Sequence, residues 1–331
     1  FEGSDSFNYL IQDGDGFQDP AFASLIVSDV IWFVDNAAGA AGDGRLGSPF
    51  NSLSAYNSTA ADDPGDVIYF YTGSGAYGGG IALQANQTLI GQGAGASISA
   101  ITGIIPPAFS SALPATGGAR PALTNSAGAA ISLASGNLVR GLAASNSGGT
   151  GLAGSGVNAL TIQEVDVSNT TAEGIRLTNL WGTATFDNLS VIGSGTHNVL
   201  IENSAGTAII GLTNSTINSA GSGDGFALIG TGSAGVTLNV SDSSFTHNNA
   251  AQLKAHARGS STVDANMIGN AFDGDPAVTG KVGVDLAVRV GANLTFDVIG
   301  SGANSQTFEP FRSHAINVFA SGAGTASGRV N

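Results

Sequence analysis

The chain has 331 residues, only 10% of them charged, and 10 basic against 24 acidic side chains leave a formal net charge of −14. Basic residues this few and this scattered cannot neutralise a run of phosphates, which excludes nucleic acid and anionic membrane surfaces as partners, and no apolar run approaches the ~18 residues of a membrane-inserted helix. Fifty glycines beside 42% hydrophobic residues and nine prolines describe a chain that folds and turns often, not a disordered or collagen-like one.

Residues 1–28 read as a hairpin. Phe7, Tyr9 and Ile11 alternate with polar neighbours, Asp13-Gly14-Asp15-Gly16 turns the chain, and Ala23 to Val27 runs apolar again. Asp5 to Gly16 followed by Ala23-Ser-Leu-Ile-Val27 resembles the last two strands of cadherin-like or bacterial Ig-like modules. That resemblance implies the terminal strands of such a module, or a linker hairpin, ahead of the main domain.

Residues 29–331 read as one domain, with irregular opening coils over 29–135 and regular coils over 136–331. Ile31-Trp-Phe-Val-Asp-Asn36, Gly42-Asp-Gly44, Ser48-Pro-Phe50, Asp66-Val-Ile-Tyr69 and Thr88-Leu-Ile-Gly-Gln-Gly93 resemble the opening coils of right-handed β-helix domains in large bacterial surface proteins and adhesins. Further on a repeat emerges. Val167, Val191, Ile217, Phe245 and Phe272 are spaced 24, 26, 28 and 27 residues apart. A column Phe186, Ile210, Leu238, Val263 and another, Leu177, Ile201, Leu228, Leu253, keep the same beat. Three short alternating strands per period of about 24–28 residues, joined by Gly/Ser/Asn turns, predict an all-β right-handed parallel β-helix, because one coil cannot bury its apolar face until another stacks on it. The widened step after Phe272 predicts a loop from Asp273 to Gly283 that leaves the coil.

On such a scaffold a site is an outward column. Thr161, Thr185, Ile209, Thr237, Thr262 and Thr295 precede the third-strand inward position, and Gln163, Asp187, Gly211, Asn239, Asp264 and Asp297 follow it. The expected Thr-x-polar face would suit sugar hydroxyls, a divalent ion or ordered water, although threonine's β propensity explains it without a ligand. Asp264 and Asp297 are the candidate acid–base pair of a glycoside hydrolase. Lys254, His256 and Arg258, expected on a turn, are the candidate cation and base of a polysaccharide lyase. The Asn-Thr-Asp, Asp-Asp, Gly-His-Gly and Arg-Ile-Lys signatures of β-helix polygalacturonases are missing. The coils from Gly156 to Phe272 carry turns too short to wall a cleft with loops. No cofactor is expected, calcium excepted: Asp13, Asp15 and Asp19, or Asp273 and Asp275, offer hard oxygens on tight loops, where Asp-Gly turns are the plainer reading.

An acidic, Lys-poor, Cys-free and Asn/Ser/Thr/Gly-rich composition fits an extracellular or cell-surface bacterial protein. The start at Phe1 without a leader is taken to mean that further domains of a longer chain are its neighbours. The expected function is a non-catalytic, adhesin-like stalk or binding module with a glycan or host-surface ligand. A carbohydrate-active enzyme is the alternative, and an ice-binding face a lesser one.

Overall fold

The computed structural model describes residues 3–27, 30–274, 282–300, 306–311 and 313–331. Gly3–Gln12 pairs antiparallel with Gln18–Val27, as the hairpin pattern requires. The turn is held by Asp13, whose Oδ1 accepts the N–H groups of Asp15 at 3.0 Å and Phe17 at 2.9 Å. Among the described residues these two strands pair only with each other.

From Val30 onward the chain winds as a parallel β-helix with three faces. Among the described residues sheet I has eleven strands, from Ile31–Val34 to Thr325–Val330; sheets II and III have nine each, from Tyr77–Gly78 to Thr307–Phe308 and from Ile81–Ala82 to His314–Ser321. One coil runs Trp181–Asp187, Ser190–Ile192, Val199–Asn203, and the next begins at Thr207. Between sheets I and II a single left-handed residue turns each coil: Glu164, Asn188, Asn214 and Asp242 have φ between 51° and 54°. Asn and Asp tolerate that conformation better than other side-chain-bearing residues, and they occupy three of these four corners, with Glu164 at the fourth.

The interior is the predicted apolar stack. Val167, Val191, Ile217, Phe245 and Phe272 are register partners in succession and fully buried. Phe245, Phe272 and Phe308 continue as stacked rings, with centroids 5.1 and 5.2 Å apart. In the two other expected columns Leu177, Ile201 and Leu228 are register partners in succession and Ile210 pairs with Leu238, as expected, while the remaining steps are inward but slipped. Phe186 pairs with Leu212, while Ile210 pairs with Ala184 and Leu238 with Ala265. Leu228 pairs with Ala255, and Leu253 with Phe226. Each slip is two residues, which preserves the inward parity that periodicity reads and leaves register undetermined.

Two features were not visible as sequence pattern. Over the first coils sheet I is buried on both faces: Phe33, Tyr69, Ile90, Ala94 and Ile98 form a second apolar cluster, with Ile101, Ile104 and Leu113 packed on it. Beneath the sheet I–II corner, buried polar side chains take orphan backbone donors of the coil before. Ser215 Oγ accepts from Leu189 N–H, Ser243 Oγ from Ser215, Asn270 Oδ1 from Ser243 and Gln306 Oε1 from Asn270. The expected Asp273–Gly283 loop lies mostly outside the described residues; Ala271–Asp273 is still a strand of sheet II.

Candidate functional site

The outward face of sheet I is polar, but its rows are not the expected threonine ladder. Thr161 and Thr185 are register neighbours, and the row continues through Gly211, Asn239, Asn266 and Asp297. Thr237 lies between Ile209 and Asp264, Thr295 sits opposite Asp264, and Thr262 belongs to a third row with Gly235 and Asn293. The threonines therefore do not form one continuous row. The same two-residue ambiguity that displaced the core columns dispersed this one.

Asp264 and Asp297 stand on adjacent strands, yet two positions apart in register: Asp264 faces Thr295 and Asp297 faces Asn266. Asp264 accepts from Thr295 Oγ1 at 2.7 Å and from Asn266 Nδ2 at 3.3 Å. Asp297 is gripped by Arg329 through two hydrogen bonds of 3.0 and 2.8 Å, which hold its carboxyl below the usual range. Asp187 accepts from Thr213 Oγ1 at 2.7 Å and Asn214 Nδ2 at 2.9 Å. Gln163 precedes Asp187 in that outer row. The carboxylates of this face thus sit in hydrogen-bond networks, and Asp264 and Asp297 do not face each other as a pair.

Lys254, His256 and Arg258 lie on the strand Ala251–Arg258 of sheet III, not on a turn. Leu253, Ala255 and Ala257 alternate with them and point inward. Lys254 Nζ is 2.5 Å from Asp224 Oδ2, and Asp224 Oδ1 accepts Ala251 N–H at 2.9 Å. His197 Nδ1 lies 3.3 Å from the same Asp224 Oδ2. Burial pushes the Asp224 carboxyl up, but the His197 ring and the Lys254 charge outweigh it and leave it below the usual range. His256 Nε2 is 2.9 Å from Asp285 Oδ2, and Asn317 Nδ2 donates to Asp285 Oδ1 at 2.8 Å. For Asp285, too, burial pushes upward and these partners prevail. Lys254 and His256 are thereby committed to carboxylates of neighbouring coils, and Arg258 projects into solvent beside Arg289.

The calcium candidates among the described residues are spread over the hairpin and sheet II. Asp13 spends Oδ1 on its own turn, Asp19 is an exposed strand residue opposite Ile11, Asp273 is half-buried in sheet II, and Asp275 lies outside the described residues. Among the described residues no group of three or more His, Asp or Glu could hold a metal ion, and no helix is long and apolar enough to cross a membrane.

The open concavity that sequence reading missed follows the sheet I–II corner. A groove of about 660 Å³ crosses successive coils there, lined by Asn214, Thr216, Asp242, Ser244, Asn270 and Thr307 among others. It arises without long loops. Small polar residues on the short sheet II strands leave a channel beside the wider sheet I, over a floor of hydrogen-bonded Ser215, Ser243 and Asn270. The recurring Asn/Asp-Ser-Thr/Ser triplet at 214–216 and 242–244 was the available signal.

No family model and no curated protein matches this chain. Solved structures do resemble it. A tailspike protein of Escherichia coli O157:H7 bacteriophage CAB120 is 14% identical over 94% of this chain and 44% of its own, with a TM-score of 0.47. A tailspike of Acinetobacter baumannii bacteriophage Fri1, described as a capsular polysaccharide depolymerase, is 10% identical over 92% of this chain and 65% of its own, at TM-score 0.36. A family 28 exopolygalacturonase of Yersinia enterocolitica is 13% identical over all of this chain and 84% of its own, at TM-score 0.26. The chain spans less than two thirds of either tailspike. At these identities the likeness concerns the fold alone, the right-handed parallel β-helix.

Proposed function

We propose that this chain is a carbohydrate-directed β-helix that engages an uncharged polysaccharide across successive coils, in an extracellular or surface-exposed setting. The corner groove carries this reading. Its hydroxyl, amide and carboxylate groups repeat at the coil spacing of about 4.8 Å, a polar channel that a structural stalk has no need of. Single hydrogen bonds there contribute only about 0.5–1.5 kcal/mol net, so retention requires a polymer spanning several coils. A formal charge of −14 disfavours polyanionic glycans.

A catalytic version of the same reading has one specific support, the Asp242 carboxylate lining the groove. Asp242 lines the groove and is the residue to test. Purified protein is to be assayed for retention on immobilised neutral polysaccharides and for release of reducing ends. Thr216→Val with Thr307→Val, both at exposed strand positions of the groove, should abolish retention without altering the melting temperature. Turnover lost in Asp242→Asn with retention intact would make the protein an enzyme. Failure of every glycan to be retained by the wild type would overturn the proposal.

A further inference from the structure

Sheet I carries a strip whose composition neither folding nor packing requires. Gly211 lies in the middle of Thr207–Thr213 on the outward side, between buried Ile210 and Leu212. It is not among the positive-φ residues, and a Cβ built on it would meet nothing within 4 Å. The register Thr185–Gly211–Asn239 passes through without a bulge. A glycine inside a strand costs stability and marks a bulge, a bend or a close approach from outside; here the close approach remains.

Two exposed apolar side chains lie near this notch. Ile209, two residues earlier in the strand, is 51% exposed, and Trp181 on the preceding coil is 50% exposed. The indole is anchored at its edge, Nε1 donating to the Gly156 carbonyl at 3.3 Å. Trp181 to Gly211 spans about 14 Å, from a rise of about 3.3 Å per residue and about 4.8 Å between strands. Thr183, Thr185 and Asn239 flank the strip with hydroxyl and amide groups, and none of these residues is charged in a chain of net charge −14.

We infer that Trp181, Ile209 and the Gly211 notch form a stacking subsite for an uncharged oligosaccharide, separate from the corner groove. The C–H face of a pyranose, weakly positive, packs on the negative face of an indole. The next ring settles over Ile209 and into the space a side chain at Gly211 would fill, its hydroxyls meeting Thr185 and Asn239. An apolar platform with a few flanking polar groups is the usual make-up of a site that orients a small ligand. This inference rests on the carbohydrate reading above but assigns a different surface to it.

Trp32 is buried and Trp181 exposed, so ligand at this strip is seen as a change in Trp181 fluorescence. The probes are uncharged oligomers of glucose, galactose, mannose and N-acetylglucosamine. Trp181→Ala and Gly211→Val should each weaken binding by about tenfold or more. Gly211→Val, placing a β-branched residue on a strand with open space, should melt no lower than wild type, which separates lost binding from lost folding. Undiminished binding in both variants, with loss in Thr216→Val/Thr307→Val, would overturn the strip and leave the groove standing. Wild-type binding to none of the probes would overturn both. Self-association of the wild type that disappears in Trp181→Ala would assign the strip to a second copy of the chain and likewise overturn it.

Discussion

Asp224 offers the most demanding test of the energetics. Its side chain is 1% exposed, and its two oxygens serve Lys254 Nζ at 2.5 Å and the backbone N–H of Ala251 at 2.9 Å. Asp224→Ala leaves the Lys254 ammonium, with 22% of its side chain exposed, beside a cavity, and strips the Ala251 N–H of its acceptor. Removing one partner of a buried ion pair costs roughly 3–5 kcal/mol, and an orphaned buried donor about 1–3 kcal/mol. Because Lys254 can turn partly toward water, a loss of about 3–4 kcal/mol is expected. Adding Lys254→Met removes the stranded charge, so the double variant should recover about 1–3 kcal/mol relative to the sum of the single changes. Urea unfolding followed by far-ultraviolet circular dichroism measures the totals. Hydrogen exchange in the strands Phe226–Gly230 and Ala251–Arg258 localises the effect, since a solenoid need not unfold in one step. An Asp224→Ala protein within about 1 kcal/mol of wild type would refute the reasoning.

Phe272→Ala opens the centre of the Phe245–Phe272–Phe308 stack and should cost about 3–5 kcal/mol by the same urea assay, whereas a loss below about 1 kcal/mol would mean that the column does not stack. Acid should destabilise the protein in a specific window. Asp224 and Asp285 have folded-state pKa values below the usual carboxylate range, so their contribution is fully present above the unfolded value of about 3.9 and is lost as the pH falls through the folded values. Melting temperature should therefore decline below about pH 4, less steeply in Asp285→Asn; equal slopes for variant and wild type would refute the assignment.

The sequence by itself determined the hairpin, the three-strand period and the inward parity of every strand compared above. These follow from local rules, alternation at period two and small or amide residues where the chain must turn, repeated at a near-constant step. The Val167 to Phe272 column was legible for that reason, its coils differing in length only at the corners. Tertiary structure decided what parity leaves open. A slip of two residues keeps apolar side chains inside, so only coil-to-coil pairing could distribute Thr161, Thr185, Thr237, Thr262 and Thr295 over three rows and set Asp264 opposite Thr295, two positions along from Asp297 on the adjacent strand. Lys254 and His256 belong to a strand because each meets a carboxylate of a neighbouring coil, Asp224 and Asp285, about 30 residues away, which no local window contains. Ser215, Ser243 and Asn270 look like surface residues in the sequence. They are buried because the coil below offers each a backbone N–H, and the groove above them exists only once those coils have stacked.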